Sequence, residues 1–348
     1  MNSLSGVLYL GYAPGGSGNY ALVGGTLDVG SRIRIGADSG AGRFEYTGGS
    51  ISTPIMVFGI NGTLAMGMDF NVVNDLVAGS ALFPDIGVIT GRPNATLEVT
   101  NGATATHDSG TAAFGALVVG SPAGTGIYNL AGGVLNAPTT VNSGGIFNFS
   151  GGEVHGGMTS SGIVNLGGSG IRAIEGDVTN NGIMQVTSDT AQFTGDVDNY
   201  GQFKTTDTTV TFTGTYTEYG TYISDPSDNY FTSLVVEATG DLQGGVGDNW
   251  YVSNDFISHS TQNTTWNTDA ASLEFQSGTA DNSHDLYWTG DDLGAVLAGY
   301  EDNFAWGNLA REAGNILNLF DGDADAGGAL YAGILLGLDI EDLLVNNI

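Results

Sequence analysis

The chain has 348 residues, 58 of them glycine, with 7 Lys and Arg against 37 Asp and Glu, four His and no Cys. Glycine at about one residue in six exceeds the usual share of about 7%, but the every-third spacing of collagen is missing, and a hydrophobic share of 41% is too high for a disordered polar chain. The formal charge of −30 argues against nucleic acid and against anionic membrane surfaces, since both are held by clustered Lys and Arg.

The absence of cysteine removes disulfides, thiolate metal sites and cysteine nucleophiles. Glycine inside a helix costs about 1 kcal/mol relative to alanine, so an all-β, turn-rich architecture is expected. The opening Met1-Asn-Ser-Leu-Ser-Gly6 shows no charged and apolar leader, so no signal peptide is visible, and no apolar run reaches the length of a membrane helix.

Internal repeats follow at once. Gly18-Asn-Tyr-Ala-Leu-Val-Gly-Gly-Thr-Leu27 recurs as Gly42-Arg-Phe-Glu-Tyr-Thr-Gly-Gly-Ser-Ile51. It returns as Gly126-Ile-Tyr-Asn-Leu-Ala-Gly-Gly-Val-Leu135 and Gly145-Ile-Phe-Asn-Phe-Ser-Gly-Gly-Glu-Val154. Gly145, Gly162, Gly182, Gly201 and Gly220 then open strands at nearly even intervals. Within each unit the apolar residues alternate, as in Ile183-Met-Gln-Val186, the mark of a strand with one buried face. Asn-Gly and Gly-Gly pairs are expected to form positive-φ corners.

Short strands recurring at this period predict a parallel β-solenoid, one coil per repeat. A β-sandwich or propeller is the competing reading. Inward positions should form ladders, for example Phe147, Val164, Met184, Phe203 and Tyr222. About a dozen coils at about 4.8 Å spacing would make a rod of roughly 60 Å.

The texture changes near residue 225. Residues 1–217 hold 15 acids and 6 bases, whereas residues 218–348 hold 22 acids and Arg311 as the one base. All four tryptophans, Trp250, Trp266, Trp288 and Trp306, fall in the later part. Two regions are therefore expected: glycine-rich solenoid repeats over 1–224, and an acidic β-rich continuation, cap or module over 225–348. Its last segment, Asp339 to Ile348, reads as a short helix or a strand.

The Gly-x-Tyr-x-Leu-x-Gly-Gly-x-Leu units resemble repeats of exported bacterial surface proteins, including autotransporter-like adhesins and proteins with a PEP-CTERM sorting tail. The segment Asp292-Leu-Gly-Ala-Val-Leu-Ala-Gly-Tyr-Glu-Asp-Asn-Phe-Ala-Trp-Gly-Asn-Leu309, followed by Asp321-Gly-Asp323 and Gly328-Ala-Leu-Tyr331, resembles their terminal region. The resemblance covers residues 7–220 and 284–331. It implies a right-handed parallel β-helix outside the cell, at the bacterial surface, with no catalytic residues.

Candidate chemistry is sparse. Asp321, Asp323 and Asp325 alternate like the first ligands of a calcium loop, but Ala326 and Ala332 stand where that loop wants glycine and glutamate. A solvated acidic turn is the favoured account; no cofactor is required, and calcium is the one ion considered. His107, His155, His259 and His284 lack metal-binding spacing and are expected at surfaces or turns. The pairs Asp196/Asp198 and Asp291/Asp292 have few basic residues to complete an active site, so no enzyme activity is expected. The threonine run 205–217 reads as a β-branched solvent face, and the late tryptophans as core rather than a sugar platform.

The resulting expectation is a structural extracellular rod: a fibre subunit, surface coat or adhesin stalk. Its predicted partner is a second copy, joined head to tail through Val7, Tyr9 and Leu10 at one end. At the other end stand Leu330, Tyr331, Ile334, Leu335, Leu336 and Leu338. A surface polysaccharide is a further partner considered, and the alternative function is a carbohydrate-binding or carbohydrate-cleaving β-helix.

Overall fold

Alternation of buried and half-buried residues along short strands governs the architecture, as in Gly126–Leu130 and Gly145–Phe149, where every second residue is buried. The computed structural model describes residues 2–35, 40–52, 55–58, 62–66, 70–72, 76–83, 88–91, 96–107, 111–113, 115–122, 124–278, 282–294, 296–300, 302–322, 328–337 and 343–346. The chain is all-β, a β-solenoid of parallel stacked strands. Among the described residues the one helical element is a 3-10 turn, Leu297–Tyr300. The chain divides into two compact units, Met1–Gly176 and Asp177–Ile348.

In the first unit, Val7–Leu10 lies parallel to Arg32–Ile35, and Ser17–Val29 to Ala41–Ser52. The coils become regular at Gly126. Strands Gly126–Leu130, Val134–Asn136 and Thr139–Val141 lie opposite Gly145–Phe149, Glu153–His155 and Met158–Ser160, all three by the same displacement along the chain. A coil is therefore three strands. Tyr128 stacks on Phe147 at 5.5 Å between ring centroids, and Phe147 faces Val164 in the following coil. On the outer side Asn165 Nδ2 donates to Asn148 Oδ1 and Asn148 Nδ2 to Asn129 Oδ1, both at 2.8 Å.

The second unit begins with the same period. Met184 lies opposite Phe203, and Phe203 opposite Tyr222, one coil further on at each step. A second inward row, Phe193, Phe212 and Phe231, stacks at 5.2 and 4.9 Å. Each such aromatic side chain contributes about 1.5–3 kcal/mol when fully buried. The coils then lengthen, so that Phe256 pairs with Leu286 and Ser272 with Asn308. This region is packed with the tryptophans, all four buried, with Trp250 against Trp306 at 5.3 Å and Trp266 against Trp288 at 5.7 Å. With these longer coils the described residues make about 10 turns, against the dozen expected. Within the terminal segment the structure describes one strand, Leu343–Asn346; the rest of residues 339–348 lies outside the described residues.

The regular glycines have two separate causes. The second glycine of the Gly-Gly pairs, as at Gly133 and Gly152, has φ of 80° and 88°, a conformation that L side chains rarely adopt. The strand-opening Gly220 has no positive φ; instead a Cβ there would stand 2.1 Å from the Gly201 carbonyl oxygen of the preceding coil. Coil-to-coil approach, not corner geometry, fixes glycine at that position.

Two of the histidines depart from expectation. His107 and His284 are buried. His107 Nδ1 shares a 3.2 Å bond with the Tyr128 hydroxyl, and His284 Nδ1 bonds the Asn254 carbonyl at 2.7 Å. Inward position on a strand outweighed side-chain polarity because the Nδ1 of each ring finds a partner in a neighbouring coil.

This packing predicts an order of mutational cost. Phe203→Ala should lose about 3–5 kcal/mol, Gly220→Ala about 1–3 kcal/mol through overpacking, and the outward Thr211→Ala less than about 0.5 kcal/mol. Urea unfolding monitored by tryptophan fluorescence measures all three; a Gly220→Ala variant as stable as wild type would contradict the close-approach account.

Candidate functional site

In the second unit, the lengthened coils enclose a cleft of about 400 Å3, lined by Gln243, residues 264–269, Tyr300 and residues 302–305. Successive coils supply its walls. Gln243, ending strand Asp241–Gln243, bridges to Asn267. Thr268, opening strand Thr268–Phe275, lies opposite Trp306.

The floor is apolar and interlocked. Buried Trp266 and Phe304 meet edge to face at 5.1 Å. Trp266 Nε1 donates to Thr268 Oγ1 at 2.7 Å, and that hydroxyl donates to the Ala305 carbonyl at 2.6 Å. Asp302 and Phe304 have φ of 51° and 55°, an uncommon conformation for a non-glycine residue and a costly one for a bulky side chain. Between them, buried Asn303 fastens the wall: its Nδ2 donates to the Asp291 and Gly299 carbonyls at 2.9 and 3.3 Å, and its Oδ1 accepts from Asp291 N at 2.8 Å.

The rim is polar. Asn267, Asp269 and Asp302 are exposed, and Gln243 and Tyr300 half-buried. No Lys, Arg or His is among the lining residues. The cleft therefore offers hydrogen-bond acceptors, amides and one phenol, with nothing to neutralise an anion.

The acidic run lies elsewhere. Asp321 ends strand Ile316–Asp321, half-buried, while Asp323 and Asp325 fall outside the described residues. Among the described residues no three His, Asp or Glu side chains are grouped to hold a metal ion. The paired carboxylates shape loops: Asp196 Oδ1 accepts from Thr215 N at 2.8 Å, and Asp292 Oδ1 from Gly294 N at 2.8 Å.

The residues assigned to assembly divide by exposure. Val7 is half-buried, Tyr9 exposed, and Leu10 turned into the core. Strand Ala332–Leu336 pairs with Trp306–Arg311 on one side, and Ile334, Leu335 and Leu336 are 55%, 49% and 50% exposed. Leu330 is half-buried. Tyr331 is held by its hydroxyl, which donates to Gly294 O and accepts from Leu293 N, at 2.9 and 2.8 Å. Leu338 lies outside the described residues.

Sequence reasoning missed a buried polar column in the second unit. Asn180 Nδ2 donates to Asn199 Oδ1 at 2.7 Å, and Asn199 Nδ2 to Glu218 Oε1 and Oε2 at 2.7 and 2.9 Å. Tyr216 OH and Gly220 N donate to the same carboxyl at 2.8 and 2.7 Å. The signal was present: each column member stands two positions before a strand-opening glycine, at Gly182, Gly201 and Gly220. Burial pushes the Glu218 carboxyl well above its ordinary range and Asp241 adds to this, against the opposing pull of the donors from Tyr216, Asn199 and Gly220. Burial likewise raises the neighbouring Tyr216 and Tyr222 hydroxyls.

No family model matches the sequence, and neither the curated proteins nor the solved structures give a match.

The Glu218 carboxyl carries a linkage prediction. Its folded pKa lies above its unfolded value, so its contribution is fully present below about pH 4.3 and is lost as pH rises through the folded pKa. Glu218→Gln cannot ionise. Melting temperature measured from about pH 4 upwards should fall more steeply in wild type than in this variant; parallel curves would show that Glu218 does not titrate with folding.

Proposed function

We propose that this protein is a structural, non-enzymatic β-solenoid that assembles with its own copies into a fibre or coat at the bacterial cell surface. The observation that carries this reading is the apolar strand Ala332–Leu336, half-exposed at Ile334, Leu335 and Leu336 and paired on one side among the described residues. An unpaired strand edge is a template for another chain, and apolar residues flanking it give the contact a hydrophobic drive.

The complementary surface is the edge formed by Asn2–Leu4 and Val7–Leu10, where Leu4 and Tyr9 are exposed. Joining two different surfaces is a heterologous contact, which propagates as a filament when the rotation does not close. Solenoid stacking suits this, because an added chain continues the parallel ladder already present within each unit. The cell-surface placement is supported by the resemblance of the glycine-rich repeats to exported surface proteins.

The charge of −30 sets the conditions. Copies repel at low ionic strength and approach as salt screens them, over a Debye length of about 10 Å at 0.1 M. Sedimentation velocity and negative-stain microscopy across a salt series should show polymers growing with salt and protein concentration. Ile334→Asp and Leu336→Asp, placed on exposed side chains, should leave the fold intact and abolish growth. Wild type that stays monomeric at high salt and concentration, or variants that polymerise equally, would refute the reading.

A further inference from the structure

We infer that the cleft between Gln243, residues 264–269, Tyr300 and residues 302–305 is a binding site for a neutral oligosaccharide. This is separate from edge-mediated assembly, since none of its lining residues belongs to the strand edges described above.

Size comes first. About 400 Å3 lies within the usual range of small-molecule sites, roughly 300–1,000 Å3, and far exceeds what a single ion occupies. Chemistry narrows the occupant. Asp269 and Asp302 accept hydrogen bonds, Gln243 and Asn267 both donate and accept, and no cation lines the walls. Phosphorylated, sulfated or carboxylated ligands would meet two carboxylates and no counter-charge. A bare divalent cation would leave most of that volume empty. Vicinal hydroxyls fit this donor and acceptor set: a carboxylate takes two O–H donors, and an amide serves one donor and one acceptor. The half-buried ring of Tyr300 offers the flat apolar surface on which a pyranose face can lie.

Pre-organisation is the second argument. The uncommon backbone at Asp302 and Phe304 is held by three bonds to Asn303 and by the Trp266–Thr268–Ala305 chain. Asp302 thus projects from a rigid wall, so little ordering cost remains for a ligand to meet.

The full chain should be titrated with neutral hexasaccharides of α-linked glucose, β-linked glucose and β-linked N-acetylglucosamine. Isothermal calorimetry and tryptophan fluorescence follow binding, Trp266 being the reporter in the cleft floor. Saturable binding of at least one sugar is expected. Combining the exposed Asp269→Asn with Asp302→Asn should weaken it at least about tenfold while the melting temperature stays unchanged, and Tyr300→Ala should weaken it likewise. Asparagine tolerates the left-handed backbone at position 302, so loss of binding would not reflect loss of the wall. No saturable binding by any of the three sugars, or equal binding by the variants, overturns the assignment. Binding of spermine or calcium without any sugar would overturn it as well, in favour of a cation site.

Discussion

Every inward side chain must stack on its counterpart in the next coil, about 4.8 Å away along the parallel ladder. That spacing decides which residues can occur where. Flat rings satisfy it face to face, as in Phe193, Phe212 and Phe231. Where two backbones close in, any side chain fails, and Gly220 over Gly201 is the outcome. Where a polar group points inward, a neighbouring coil can supply its hydrogen-bond partner. Asn180, Asn199 and Glu218 do this in sequence, and Glu218 completes the column with donors from Tyr216 and Gly220. An unsatisfied member would cost about 1–3 kcal/mol, comparable to the loss of an entire apolar contact.

The same rule explains the change of character along the second unit. The short, regular coils stack rings of Phe and Tyr, whereas the four buried tryptophans pack in the later part of the unit, where the coils lengthen. Extra residues cannot enter the ladder without breaking register, so they leave it as loops. Those loops carry the cleft, the positive-φ residues Asp302 and Phe304, and the 3-10 turn at Leu297–Tyr300. The regular coils supply stacking, and the long ones supply shape.

Most of the fold was legible because period-two alternation and evenly recurring strand-opening glycines both report on the backbone. Phe147 against Val164, and Met184, Phe203 and Tyr222 in succession, were readable from spacing alone. The burial of the tryptophans followed from their size. The cleft was not legible: its walls come from Gln243, residues 264–269, Tyr300 and residues 302–305, brought together by unequal coil lengths that no local motif encodes. Nor were buried His107 and His284, since a strand's inward position is shared by apolar and polar residues whenever partners lie along the stack. The column ending at Glu218 was encoded, two positions before each glycine, but a carboxyl inside a core reads against ordinary burial preference.

In-register stacking can be tested by cross-linking, since the chain has no cysteine of its own. Asn129, Asn148 and Asn165 follow one another on the outer side of adjacent coils. Cysteines at positions 129 and 148, or at 148 and 165, sit at a separation a disulfide can bridge, whereas 129 and 165 are two coils apart. Mild oxidation followed by mass spectrometry should yield intramolecular disulfides in both adjacent pairs and none in the distant one. Failure of both adjacent pairs, or efficient closure of 129 to 165, would contradict parallel coil-on-coil stacking and with it the account built on it.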